Sequence, residues 1–249
     1  SRASVLSGLY PTSTGNYNNQ HWWKPNLPNL RTIPIHFRDN GYHTIGTGKI
    51  FHHTAGNNPP LQWDHFKRAP FNDNGWLRYG DRSYPWTAAK PRPREFPYSG
   101  IKLYSGEADW GVLPQQESQY DDSLVADYAI DYLENLNQRA TNKPFFLACG
   151  IFHPHLPWYT PQKYLDLYPL DQIQIPKNIP EDLNDIPSPG RKLAKKKSGD
   201  LRRIRETGRW PTAIQHYLAS ISFADALVGR VLDALRKSTA SDNTVIVLW

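Results

Sequence analysis

Tyr42-His43-Thr44-Ile45-Gly46-Thr47-Gly48-Lys49-Ile50-Phe51-His52-His53 reads as a strand over 42–47 that runs straight into a Gly-Lys turn and a pair of histidines. Upstream, Leu30 to Asn40 predicts a short helix, with Thr32 as its cap, Pro34 tolerated in the first turn and Gly41 as the stop. Downstream, Asp122 predicts a helix cap, followed by Val125, Ala129, Tyr132, Leu133 and Leu136 on one face. Lys143-Pro144 ends that unit, and Phe145 to Cys149 predicts an apolar strand. A long helix follows from about Pro211 to Arg236, with Ile214, Tyr217, Leu218, Ile221, Val228, Val231, Leu232 and Leu235 as its stripe. Ser241-Asp242-Asn243 then turns the chain into a last strand, Thr244 to Trp249. This alternation is that of an α/β protein with a mainly parallel sheet and helices on its faces. Residues 53–118 and 156–210 carry many prolines and little periodicity, and the first of these reads as a substrate-shaping insertion.

Length and composition allow one large domain or two small ones. Apolar residues make up 39%, aromatics 13%, and there are 22 prolines, which suits ordered, Pro-rich loops better than a disordered chain. No stretch approaches the roughly 18 apolar residues of a membrane span. The lone cysteine, Cys149, excludes an internal disulfide framework and a cysteine-based zinc site, and its apolar surroundings read as those of a buried structural thiol. Net charge is +6, with a pI of about 9.3, which favours anionic partners. Much of the excess lies in Arg191-Lys192-Leu193-Ala194-Lys195-Lys196-Lys197 and Arg202-Arg203-Ile204-Arg205, a solvated insertion or a binding patch. No nucleic-acid recognition motif accompanies it. Nine tryptophans suit core and loop anchors as well as sugar stacking.

In parallel sheets ligands bind beyond the carboxyl ends of the strands. The first strand end delivers Lys49 and His52, and the second delivers Gly150-Ile151-Phe152-His153-Pro154-His155. One ammonium and two imidazoles converging on one rim would bind a tetrahedral oxyanion, sulfate or phosphate, by charge-assisted hydrogen bonds. A histidine there could also protonate a leaving alkoxide. Zinc is disfavoured, because His153-x-His155 and His52-His53 lack a carboxylate or a third histidine at a suitable distance. There is no Gly-x-Ser-x-Gly elbow and no Gly-rich phosphate loop.

Ser1-Arg2-Ala3-Ser4-Val5-Leu6-Ser7-Gly8 resembles the tail of the type I sulfatase signature C/S-x-P-S/A-R-x-x-x-x-x-G, whose first residue becomes formylglycine. Thr32-Ile33-Pro34, Phe37 to Tyr42 and Gly48-Lys49-Ile50-Phe51-His52 are similar to the family's next block. Phe145 to Ala148 with Pro154-His155-Leu156-Pro157 is similar to the third block. Tyr217 to Ser220, Val228-Gly229-Arg230 and Thr244 to Val247 resemble the helix and strand before the family's S-D-H-G metal motif. The pattern is similar to that of iduronate-2-sulfatase and its bacterial relatives, and it spans nearly the whole chain in order.

The resemblance implies an alkaline-phosphatase-like fold and hydrolysis of a sulfate ester on a sulfated sugar or polysaccharide. The implied chemistry is a formylglycine hydrate attacking sulfur with calcium assistance. Arg2 would steady the hydrate, Lys49 and His155 would clamp sulfate oxygens, one of these two would protonate the leaving oxygen, and His52 would orient the hydrate. The formylglycine would lie three residues before Ser1, and the calcium-binding aspartates and histidine would lie outside residues 1–249. The chain also begins without Met, contains none and ends on an apolar run. It therefore reads as an internal fragment, a partial sulfatase catalytic domain that holds no calcium of its own. The parent would need a formylglycine-installing enzyme and would be periplasmic or secreted, with no membrane or nucleic-acid partner. A related phosphoester or phosphonate hydrolase, and a non-catalytic relative that binds anionic glycans, stay open on the residues alone.

Overall fold

The computed structural model describes residues 1–18, 21, 26–51, 62–67, 97–103, 108–139, 141–177, 179, 181–195 and 199–249. In chain order these form α1 (Arg2–Ser7), α2 (Pro11–Thr14), α3 (Ile33–Asp39), β1 (His43–Gly48), β2 (His65–Lys67), β3 (Trp110–Gly111) and α4 (Asp121–Glu134). Then follow β4 (Phe145–Gly150), β5 (Trp158–Tyr159), α5 (Gln162–Leu165), α6 (Ser188–Lys195), α7 (Gly199–Glu206) and α8 (Trp210–Lys237). The chain divides into two compact units. Ser1–Arg82, Asp121–Phe152 and Leu227–Trp249 make the first, and Ser83–Tyr120 and His153–Ala226 make the second.

The first unit is built on a parallel sheet in the order β2-β1-β4, with β1 between its two partners. Along β1 and β4 the register runs from His43 opposite Phe145 to Gly48 opposite Gly150. Successive side chains of a strand face opposite sides, and β4 shows it. Phe146 and Ala148 join Leu6, Ile50, Phe51 and Trp63 on one face. Phe145 and Leu147 join Leu133, Ala234 and Leu235 on the other. Each large side chain so buried contributes roughly 1.5–3 kcal/mol. Helix α4 packs on β1 and β4, and of its expected stripe Val125, Ala129, Tyr132 and Leu133 are buried, whereas Leu136 lies past the end of the helix and is partly buried.

The second unit contains the two-residue parallel pair β3-β5 and a cluster of Ile101, Leu103, Ala108, Trp110 and Ala213. Asp109 is fully buried, and its carboxylate accepts from the Tyr98 N–H (2.8 Å), the Ser99 N–H (2.9 Å) and the Tyr159 hydroxyl (2.5 Å). A buried carboxylate needs such donors to offset its lost hydration.

Several sequence expectations are corrected. Thr32 precedes α3 at the cap position, yet its hydroxyl donates to the Gln62 side-chain carbonyl at 2.5 Å and does not cap the helix. Both side chains are buried, so that pairing takes precedence. Asp122 lies inside the first turn of α4, where its carboxylate accepts from the Phe152 N–H at 2.9 Å. The buried seam of α8 is Ala213, His216, Ala219, Ser220, Phe223, Leu227, Ala234 and Leu235, whereas Tyr217 and Ile221 are exposed. Small residues let a helix approach its neighbours closely, so the seam does not follow the largest apolar side chains. The stretch 156–210, expected to be irregular, contains α5, α6 and α7. Thr244–Trp249 forms no strand, and Val245 to Trp249 are all exposed. A strand needs a ladder partner, and among the described residues none pairs with this run.

Gly48 has φ +73, and a Cβ there would overlap the Gly150 carbonyl oxygen. Gly48→Ala is therefore expected to cost at least about 2 kcal/mol, read by denaturant unfolding. A loss below about 0.5 kcal/mol would show that the strand ends do not need this contact.

Candidate active site

Two glycines shape the carboxyl end of the β1-β4 pair. The Lys49 N–H donates to the Gly150 carbonyl at 2.7 Å, one step past the paired glycines. A Cβ on Gly150 would lie 2.5–2.6 Å from the Lys49 main chain. The backbones thus approach as only glycine allows, and the chain turns so that Lys49 is buried at 6% exposure.

Arg2 meets this turn from α1. Its Nη1 donates to the Lys49 carbonyl at 2.5 Å and to the Ile50 carbonyl at 3.4 Å. Ala3 and Leu6 of the same helix pack with Ile50 and Phe51, so apolar contact and hydrogen bond hold α1 on the same segment. Burial lowers the Arg2 pKa. The Lys49 Nζ lies 5.6 Å from the centroid of the Phe152 ring, within cation–π range. Burial pushes the Lys49 pKa down to about 8, helped by the nearby Arg2 charge and opposed by that of Asp122. Asp122 also contributes to Cys149, whose thiol is pushed up to about 12, chiefly by burial. The thiol is thereby held in its unreactive form.

His155 belongs to the second unit and is exposed. Its Nδ1 lies 2.6 Å from the Leu156 carbonyl. A carbonyl can only accept, so Nδ1 carries a proton in this contact. The loop is braced around it. The Trp158 indole donates to the Pro154 carbonyl at 2.9 Å, and the Trp158 N–H donates to the Asp109 carbonyl at 2.9 Å. His216 reaches the Trp158 main chain, and burial pushes its pKa down to about 4 against the pull of Asp109 and that bond. His153 is buried, with its Nε2 3.0 Å from the Tyr159 carbonyl and its ring edge-on to Phe223, which makes it a structural histidine.

Arg2 and Lys49 therefore come together in the first unit. His155 lies in the second unit, and His52 lies outside the described residues. Sequence reading missed two parts of the Lys49 environment. Phe152 had no signal beyond its place after a strand, and Asp122 read as an ordinary cap. A second acidic residue directly after Asp121, at the start of a helix facing the sheet end, was the available hint.

The sulfatase family model matches residues 1–249. The chain belongs to the sulfatase family. It is 35% identical to a sulfatase of Formosa agariphila, covering 100% of this chain and 48% of that protein. It is 28% identical to human iduronate 2-sulfatase, covering 99% of this chain and 44% of that protein. The chain thus spans about half the length of the curated relatives it matches. Among solved structures it is similar to Ps i-CgsB in complex with k-i-k-neocarrahexaose, with TM-score 0.52, 17% identity, and 98% and 45% of the two chains covered. A second structure, of a protein in complex with its substrate D-glucosamine-2-N,6-O-disulfate, gives TM-score 0.54, 17% identity and coverages of 95% and 52%. The fold is accordingly the alkaline-phosphatase-like fold of sulfatases, of which this chain shows the parallel sheet and its covering helices.

Members of the sulfatase family are generally formylglycine- and metal-dependent. Calcium takes six to eight oxygen ligands. Among the described residues no group of three or more His, Cys, Asp or Glu side chains could hold a metal ion. The carboxylate nearest in effect to Lys49, Asp122, accepts from a main-chain N–H. The described residues do not fit the ion.

A buried ammonium carries a defined stability cost. The folded pKa of Lys49 is about 8 against 10.5 for the free side chain. Keeping it charged thus costs roughly 3 kcal/mol, at about 1.4 kcal/mol per pKa unit. The unfolded chain binds the extra proton between these values, so stability rises with pH there, and the full cost is present below pH 8. Lys49→Met should therefore raise stability at pH 7 by about 1–3 kcal/mol, with the gain shrinking toward pH 10. Unfolding curves at both pH values measure it, and a variant less stable than its parent at each would refute the buried-charge reading.

Proposed function

We propose that this chain forms part of the catalytic domain of a sulfuric ester hydrolase acting on a sulfated sugar or polysaccharide, with Lys49 as a ligand of the sulfate oxygens. The observation that carries this is the buried Lys49 ammonium at the carboxyl end of β1, in a chain matched to the sulfatase family throughout. With a pKa near 8, Lys49 is about nine-tenths protonated at pH 7. A sulfate monoanion brought against it favours the charged form and raises that pKa again. In a water-poor site such a cation stabilises the charge that builds on sulfate oxygens and leaving oxygen.

Arg2 acts by holding the carbonyls of residues 49 and 50, which sets the direction of Lys49. The family resemblance adds contact with the formylglycine hydrate to its role. The family resemblance adds His155 as a second ligand of the sulfate, with either it or Lys49 as the group that protonates the leaving alkoxide. His52 would orient the hydrate. A formylglycine, if present as in the family, would supply the nucleophile, and Arg2 and His52 are the residues of this chain that would contact its hydrate. The ligands of the related structures, a neocarrahexaose and a glucosamine disulfate, support sulfated carbohydrate as the substrate class.

In the complete protein, Lys49→Ala is expected to lower turnover of an aryl sulfate well over tenfold. In the parent, kcat/KM should fall as pH rises through about 8, the limb on which Lys49 loses its proton. Turnover of the variant within twofold of the parent would refute the assignment. A parent preference for aryl phosphate over aryl sulfate would move the reading to a phosphoester hydrolase.

A further inference from the structure

The net positive charge of this chain is concentrated in one stretch of its sequence. Residues 191–209 hold nine Lys or Arg and two acidic residues, a net of +7 against +6 for the whole chain, so the other 230 residues sum to −1. The described residues of that stretch up to Glu206 are helical. Arg191 and Lys192 of α6 and Arg202, Arg203 and Arg205 of α7 are all exposed. Arg205 lies over the Trp210 ring at 4.1 Å, which makes a flat cationic and aromatic plate. The Arg202–Glu206 pair on this surface is long (3.9 Å) and exposed on both sides, so it compensates little.

A merely solvated helix needs charge of either sign. Gathering one sign repels itself and favours a polyanion instead. The placement of α7 points the same way. Ile204, on its buried side, packs into the cluster of Ile101, Leu103, Ala108, Trp110 and Ala213. Leu156 and Trp158 pack on that same cluster, and the Leu156 carbonyl accepts a hydrogen bond from the His155 Nδ1–H. The basic helix and the His155 loop therefore stand on one apolar floor within the second unit. A chain-like anion engaged at His155 has α7 as its neighbouring cationic surface. Nucleic acid fits less well, since unstacked bases need open aromatic faces and Arg205 covers that of Trp210.

We propose that the α6–α7 surface is an additional binding site for a sulfated polysaccharide, holding sulfate groups other than the one undergoing hydrolysis. This rests on the sulfatase reading above and adds to it that the substrate is polymeric.

The test uses the complete protein and a fourfold variant, Arg191→Gln, Lys192→Gln, Arg202→Gln and Arg203→Gln, beside one in which the three arginines become lysine. Binding to heparin, to desulfated heparin and to single-stranded poly(dT) is measured against salt, together with turnover of an aryl sulfate. The glutamine variant should lose at least tenfold in heparin affinity at 0.15 M salt. Its log–log salt slope should be shallower by about two to four. The lysine variant should keep most of the affinity, and aryl sulfate turnover should stay within twofold of the parent in both. Unchanged heparin affinity in the glutamine variant, equal parental affinity for desulfated heparin, or tighter parental binding to poly(dT) than to heparin would each overturn the proposal. A parent that binds heparin through this surface but hydrolyses no sulfate ester would refute the sulfatase reading and leave the binding site standing.

Discussion

Where β1 and β4 end, two glycine backbones lie closer than any side chain would permit, and the candidate site depends on that approach. Gly48 faces Gly150, and the next amide, Lys49 N–H, closes on the Gly150 carbonyl. With Cβ atoms at these positions the strands would be wedged apart. The approach turns the chain so that a lysine enters the interior at the rim where parallel sheets bind ligands. Arg2 then fastens α1 to the carbonyls of that turn, joining the signature segment to the strand end.

Two of the buried charged groups, Asp109 and Lys49, are treated differently. Asp109 receives three donors and knits the 97–101 segment to β5, so its charge serves the fold. Lys49 has burial and a neighbouring guanidinium against it, with Asp122 as a partial counterweight and the Phe152 ring nearby. A charge kept buried at net cost is the kind of feature that accompanies function, because binding of the opposite charge recovers the energy. Alongside it, His155 is exposed on a loop whose main chain is tied at Pro154 and Trp158.

Much of the architecture was legible in local pattern. The strands after Gly41 and Pro144 and the helices from residue 121 and residue 210 appear within a residue or two of their expected bounds. The failures have particular causes. The seam of α8 runs through Ala213, His216, Ala219 and Ser220, which carry little hydropathy, so a stripe drawn through large residues pointed elsewhere. Helices α6 and α7 are rich in arginine and lysine and were hidden by their polarity. The run 244–249 has the composition of a strand but no partner among the described residues. Thr32 and Asp122 were read as caps, and both spend their side chains on residues thirty positions away.

Periodicity and turn chemistry were enough to establish the α/β class, to place Lys49 and His155 after strands and to carry the family likeness, because these are properties of neighbouring residues. The surroundings of those side chains were not written there. The depressed pKa of Lys49 arises from burial and from the charge of Arg2, against the pull of Asp122, and these two residues lie 47 and 73 positions away in the chain. Burial and Coulomb energy depend on distance in space and on excluded water, and neither exists until the strands have paired and the helices have closed over them.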